Sequence, residues 1–372
     1  VKLPPFLLER WQSEWENRVS FNLSESGVLP MSLAELLDSE EGEALSRVRL
    51  GYVQTNGTLP LRAAIAADYP GATPDNVLVT TGTSEANYVA LWRLLEPGSE
   101  VVPVLPNYMQ LPGLVEGFGA GLSPVWLRNG GSAWRLDADE LASRVTARTR
   151  LICVCNPNNP TGAVLSEEEM QAVVEVAERH GCWVLSDEVY RDAVREGPRA
   201  GTFWDRHDRV LVTSGLSKAY GMPGLRIGWV VGPAPLIAEL WERRDYTTIS
   251  PAALSDAVAT AALQPVRRQR ILARTRTLLR DNYVVLDEWL ARRAATLSMV
   301  PPQAGAIALV RQRLPLTSAA LAERLLREHS VLVVPGEQFG MEGFLRLGFG
   351  YDRGQLSGAL DRVGAFFDTL SA

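Results

Sequence analysis

Between about residues 75 and 235 the chain alternates short, wholly apolar runs with longer stretches of helical period. "NVLVT", "VVPVL", "RLICVC", "CWVLS", "RVLVT" and "RIGWVV" carry apolar side chains on successive residues, the pattern of strands buried on both faces. A strand with one wet face would alternate polar and apolar instead. Between them, "SEANYVALWRLL" and "SEEEMQAVVEVAERHG" repeat apolar residues at the spacing of one helical face. The second opens on Ser166 ahead of three glutamates and closes on Gly181, so it is capped at both ends. Strands that alternate with helices make a mostly parallel sheet covered on both faces, and the expected fold class is α/β.

The pattern changes from Ser250 to about Arg293, where strand signals vanish and one long or broken helix is expected. Beyond it, "AIALVRQ", "SVLVVPG" and "FLRLGFG" alternate with "TSAALAERLLREH" and "DRGQLSGALDRVGAFFDTL", the pattern of a smaller α/β C-terminal domain. At 372 residues the chain exceeds one ordinary core. The expected division is an N-terminal segment, 1–35, packing on the small domain, a large domain, 36–255, and a small domain, 256–372. A net charge of −6 with no basic tail argues against a nucleic-acid partner. No apolar run reaches the length of a membrane span, and "VKLPPFLLERWQ" lacks the apolar core of a signal peptide. Cys153, Cys155 and Cys182 lie in apolar runs without a neighbouring histidine, so neither a disulfide framework nor a metal site is expected. The expected compartment is the cytoplasm.

In a doubly wound sheet, ligands bind beyond the carboxyl ends of the strands, so the polar residues that follow strands carry the functional information. "NVLVTTGTSEAN" sets Gly82, Thr83 and Ser84 at a strand-to-helix turn, where free N–H groups and the helix dipole favour an anion. "CNPNNPTG" supplies three amides on a backbone stiffened by two prolines. "VLSDEVYRD" puts Asp187 just past a strand with Tyr190 one helical turn on. "VLVTSGLSK" delivers Lys218 past another strand, and Arg226 follows eight positions later. "FLRLGFG" buries Arg346 in an apolar run, where an unpaired guanidinium would be costly. Lys218 stands out for a second reason: of 37 lysines and arginines only Lys2 and Lys218 are lysine. Arginine supplies charge everywhere else but cannot lose a proton near neutrality, whereas an amine can attack a carbonyl.

At this point the chain resembles the class I/II aminotransferases, a family of fold-type I pyridoxal-phosphate enzymes. "GYVQTNGTLPLRAAIA", "TTGTSEAN", "PNY", "NPNNPTG", "DEVY", "SKAYGMPGLRIGW" and "FLRLGFG" occur in the family's order over nearly the whole chain. The resemblance implies a large domain with a mostly parallel seven-stranded sheet, a smaller C-terminal α/β domain, and pyridoxal 5'-phosphate as cofactor. It implies that Lys218 carries the cofactor as an imine and shuttles the substrate's α-proton, while Asp187 pairs with the ring nitrogen. Tyr190 and Asn159 would bond the ring's phenolic oxygen and Tyr108 would stack on the ring. Gly82, Thr83, Ser84, Ser217 and Arg226 would hold the phosphate, joined by Tyr52 of a neighbouring subunit in a homodimer with shared active sites. Arg346 would clamp the substrate carboxylate, with Asn159 and Gly27 beside it. The bonds Leu105–Pro106 and Asn159–Pro160 would be cis.

The implied activity is transfer of an amino group from an α-amino acid to a 2-oxo acid by a ping-pong mechanism. Two departures qualify it. Several relatives carry a hydroxyl three residues before the lysine where this chain has Gly215, which leaves Ser214 or Ser217 for the phosphate. The start, "FLLERWQSEWENRVSFNLSESGVLPMSLAELL", is more similar to capreomycidine-synthase-type enzymes, which use the cofactor for elimination and ring closure on a guanidino amino acid. Ser24 to Gly27 would then approach the substrate, and Glu25 is either a partner for a basic side chain or a solvated loop residue.

Overall fold

The six apolar runs between residues 75 and 235 become strands of one sheet in the computed structural model, which describes residues 2–370. Two short edge pieces bring the strands to eight. In chain order these are β1 (Val77–Thr81), β2 (Glu100–Leu105), β3 (Gly121–Leu122), β4 (Val125–Trp126), β5 (Thr149–Cys155), β6 (Trp183–Asp187), β7 (Val210–Gly215) and β8 (Ile227–Val231). Their spatial order is β1-β8-β7-β6-β5-β2-β3, with β4 also pairing β2. Only β8 runs antiparallel to its neighbours, β7 and β1. The sheet has eight strands rather than the expected seven, because its edge is split. The break falls at Ser123–Pro124, and the register against β2 is the same on both sides of it.

The interior strand residues Val79, Val154, Val184, Leu185, Leu211 and Val212 are fully buried, each contributing on the order of 1.5–3 kcal/mol of apolar burial. Among the helices are α1 (Leu7–Trp15), whose Leu8 packs with Val334 and Phe339, α2 (Thr83–Leu94), α3 (Glu167–His180), α4 (Ala253–Ala262) and α5 (Pro265–Ala291). Ser166 and Glu169 form a capping box at the start of α3, and Gly181 ends it in the left-handed conformation. The helical stretch after Ser250 is broken, α5 restarting at Pro265, where a missing N–H costs nothing.

A second sheet is antiparallel and contains β9 (Leu297–Met299), β10 (Ile307–Gln312), β11 (Val334–Pro335) and β12 (Phe344–Gly348), in the order β9-β10-β12-β11. The run "SVLVVPG" is shared: Val331–Leu332 pairs in parallel with Phe21–Asn22, and only β11 joins the sheet. The chain then crosses back, with Leu23 accepting from Gly348 and Leu29 donating to Gly350. Among the described residues no helix is long and apolar enough to cross a membrane.

Two sets of contacts fix α5 against the loops that follow β6 and β7. Thr275 donates to the Ala219 carbonyl at 2.8 Å and Arg274 to the Leu29 carbonyl at 2.9 Å. Arg268 donates to the Tyr220 hydroxyl at 2.9 Å, and that hydroxyl donates to Asp192 at 3.0 Å. Tyr220 lies two residues after Lys218 and Asp192 two after Tyr190, so this buried network braces both site loops.

Candidate active site

The carboxyl ends of β1, β5, β6 and β7 converge on one cavity of about 290 Å³. Thr83, Ser84, Tyr108, Asn159, Asp187, Tyr190, Ser217, Lys218, Arg226 and Arg346, all singled out in the sequence, line it. Three others do not. Gly82 stands behind Arg226, Gly27 lies against the Lys218 stem, and Tyr52 is 83% exposed outside the cavity of its own chain.

One end of the cavity is built for an anion. Helix α2 starts at Gly82 with no side-chain cap, so its first N–H groups are free. Gly82 adopts φ +79°, and a Cβ there would lie 2.3 Å from Arg226 Nη2. That approach brings the guanidinium to the helix start, and Arg226 itself takes a left-handed φ of +52°. The Thr83 hydroxyl is buried without a hydrogen-bond partner. Gly215 explains its own departure from the family: a Cβ would fall 2.7 Å from that hydroxyl and 2.8 Å from the Ile227 carbonyl. Of the two serines nearby, Ser217 lines the cavity, while Ser214 turns away to donate to the Glu188 carbonyl at 3.3 Å.

In the middle lie a carboxylate and an amine. Burial pushes the Asp187 carboxyl up to about 6, held from rising further by the Val189 N–H, Asn87 and the Lys218 charge. Lys218 Nζ donates to Glu25 Oε1 at 2.7 Å. The same oxygen accepts from the N–H groups of Ser26 and Gly27, each at 2.8 Å. Burial alone would raise the Glu25 carboxyl, but Lys218 and these N–H groups outweigh it and bring it down to about 2. Burial likewise disfavours the Lys218 ammonium, yet the Glu25 charge overcomes it and holds the amine above its ordinary range.

At the other end, Arg346 is 1% exposed on the central strand β12. It donates through Nη1 to Asn159 Oδ1 at 2.9 Å and through Nη2 to the Ser24 carbonyl, while Nε has no partner. Tyr190 donates its hydroxyl to Ser26 Oγ at 2.9 Å. Tyr108 donates to Glu9 Oε1 at 2.6 Å and meets the ring of Phe6 edge-on. The two bonds expected to be cis, Leu105–Pro106 and Asn159–Pro160, are cis, and so is Asn156–Pro157, which was not expected.

Sequence reasoning missed the wall opposite. Glu9, Gln12 and Glu16 line the cavity from α1 and the residue just beyond it. Gln12 donates to the carbonyl and hydroxyl of Ser24, which ties α1 to the Glu25 loop. Burial, then the charges of Glu25 and Glu9, raise the Glu16 carboxyl. The signal was present, since positions 9, 12 and 16 fall on one helical face. Asn87, also missed, is a buried amide one turn after Thr83.

A comparison with protein families matches the description "Aminotransferase class I and II" over residues 21–363. The chain is 35% identical over 373 residues to a capreomycidine synthase of Streptomyces vinaceus, covering 97% of this chain and 93% of that protein. It is 33% identical over 309 residues to an arginine–pyruvate transaminase of Pseudomonas aeruginosa, covering 80% of this chain and 77% of that one. Among solved structures, a PLP-dependent aminotransferase from Streptococcus suis superposes with a TM-score of 0.93 at 30% identity, over 100% of this chain and 99% of that one. The fold and the family point to pyridoxal phosphate as the cofactor, and the uncapped helix, the orphaned Thr83 hydroxyl and the adjacent guanidinium fit its phosphate. The chain belongs to the class I and II aminotransferase family and is a fold-type I, pyridoxal-phosphate-dependent enzyme acting on amino acids.

Proposed function

We propose that the enzyme transfers the amino group of an α-amino acid with a cationic side chain to a 2-oxo acid. The observation that carries this is the charge of the cavity wall: Glu9, Glu16 and Glu25 all line it. Arg226 is assigned to the cofactor phosphate with Thr83, Ser84 and Ser217, Asp187 to the ring nitrogen, and Arg346 to the substrate carboxylate. Lys218 is committed to the cofactor. The three glutamates then have no cation left, and an ammonium or guanidinium on the substrate balances them. The relative named as an arginine–pyruvate transaminase supports that choice.

When bound, the cofactor supplies a reactive carbonyl and a ring that accepts electrons. The chain does the rest. Lys218 would hold the cofactor through Nζ and, when that amine is free, would take and return the substrate's α-proton there. Asp187 would face the cofactor's ring nitrogen and favour its protonated form, Tyr190 and Asn159 would bond its phenolic oxygen, and Tyr108 would lie on the ring face. Arg346 orients the carboxylate in two-pronged fashion. Gly27 leaves room beside Glu25 and the Ser217 backbone, where a Cβ would sit 3.2 Å from the Ser217 carbonyl and 3.3 Å from Glu25 Oε1. Tyr52, exposed and outside its own cavity, is assigned to the phosphate of a second copy in a homodimer.

Ring closure on a guanidino amino acid is the second reading. It is favoured by the capreomycidine synthase match, which spans 97% of the chain. The Glu25 oxygen 2.7 Å from Lys218 Nζ also offers a second proton acceptor. Absorbance of the yellow enzyme mixed with single amino acids separates the two. Transamination without a 2-oxo acid stops after one keto acid per site, with the cofactor left in its amine form. Repeated turnover of a guanidino substrate alone, with no amine form, would replace the first reading by the second.

A further inference from the structure

Asn87 is an amide in a helix whose buried face is otherwise mostly apolar. It is 1% exposed in α2, with Ala86, Ala90 and Leu91 as buried neighbours along the helix. Burying an amide is costly unless its bonds are made. Here they are made, and they fix its direction. Thr213 on β7 donates to Asn87 Oδ1 at 2.7 Å. Nδ2 then faces Asp187 Oδ2 at 3.3 Å and Gln110 Oε1 at 3.2 Å. The flipped amide would set its oxygen against a carboxylate and a second acceptor, so only one orientation is electrostatically sound. Gln110 is held in turn by donating to the Ser84 carbonyl at 2.9 Å, at the start of the same helix. Thr213 stands directly beside Asp187 in the register of β7 with β6.

We propose that Asn87 is a positioning residue that keeps Asp187 ionised and aimed, so that the proton shared with the cofactor's ring nitrogen stays on nitrogen. This rests on the reading of Asp187 as the ring partner. The balance is one proton between two atoms. With the Asn87 N–H present, the charged pair of carboxylate and protonated ring is favoured. Without it, the proton moves to Asp187 Oδ2 and leaves a neutral pair. Few groups oppose the burial that disfavours the carboxylate. Val189 donates its N–H to Oδ1 at 3.2 Å, and Lys218 contributes its charge. Cys155, facing from β5, is a buried thiol pushed well up and contributes no charge. Asn87 is the side chain in direct hydrogen-bond contact with Oδ2.

The test is the ¹⁵N chemical shift of ring-labelled pyridoxal phosphate bound to the full-length chain, which reports the ring proton without turnover. In the unsubstituted enzyme the resonance should fall at the protonated position. Asn87→Leu keeps the branching and number of side-chain heavy atoms, removes the amide, and should move the shift towards the unprotonated position at the same pH. Thr213→Val frees the amide to turn and should move it part of the way; it carries the test if Asn87→Leu does not fold. Asp187→Asn is the reference and should give the unprotonated shift. An unprotonated reference with no movement in the folded Asn87 or Thr213 variant overturns this inference alone. A reference that keeps the protonated shift overturns the reading of Asp187 and the inference with it.

Discussion

A lysine and a glutamate 2.7 Å apart would be an inert pair if neither had other work. On the proposed reading the amine leaves the carboxylate to hold the cofactor, and Glu25 is left facing the substrate, backed by two backbone N–H groups. Glu25→Gln keeps the shape and removes the charge. It should lower kcat/KM for arginine by about 10–100-fold, the scale of a hydrogen bond to a charged group. Citrulline, nearly isosteric and neutral, should change by less than about threefold. Equal losses on both would remove Glu25 from side-chain recognition. Asp187 makes a prediction about the cofactor-free chain. Its native carboxyl takes up a proton near pH 6 and its unfolded one near 4, so the native state binds more protons in between. Stability therefore falls as pH rises through that window, by about 3 kcal/mol from this residue. Glu25, brought down to about 2, acts at lower pH and with the opposite sign. Denaturant unfolding of cofactor-free Asp187→Asn from pH 4 to 7 should lack that decline, and an identical slope would contradict the assignment.

The start of α2 and the strand ends show what a sequence can and cannot disclose. Strands buried on both faces announce themselves because no residue in them is free to be polar, and the chemistry-bearing residues follow them in the chain. Hence Asp187, Lys218, Asn159 and the turn before α2 were legible, and all but Gly82 of that set line the cavity. The split edge was not legible, since pairings of two residues are too short to leave a periodic trace. Nor was the wall of Glu9, Gln12 and Glu16. Polar residues on a short helix look like a wet face until something is packed opposite. Glu25 was ambiguous for the same reason, and its pairing with Lys218 spans 193 positions of sequence. At the α2 start the close approach of Arg226 makes a sharp prediction. Gly82→Ala forces a Cβ into the guanidinium and into a φ that side chains avoid, a strain of about 1–3 kcal/mol. Cofactor affinity by fluorescence titration should fall at least about tenfold, while a variant binding as tightly as the parent would mean the cup lies elsewhere.

At the scale of the molecule, the segments around Tyr52 and Tyr246 form one unit. Trp241 Nε1 donates to Thr55 Oγ1 at 2.7 Å, and Thr58 Oγ1 donates to Asp256 at 2.6 Å. Leu50, Tyr52, Leu59, Tyr246, Ile249 and Leu254 are exposed on these segments. Apolar exposure on this scale fits an interface, and a second copy covering it would bring Tyr52 to the other chain's phosphate. Mixed dimers of Tyr52→Phe and Lys218→Ala should then recover activity above either parent, since one site in each hybrid is whole. A monomer by sedimentation at concentrations where the enzyme is active would defeat that arrangement. Every proposed role nevertheless depends on Lys218, and the near-absence of lysine makes its own role directly testable. Borohydride reduction of the yellow holoenzyme followed by peptide mapping has only two side chains to choose between, Lys2 and Lys218. The cofactor should be fixed to Lys218 at one per chain; label on Lys2, or no label at all, would show that Lys218 does not carry it.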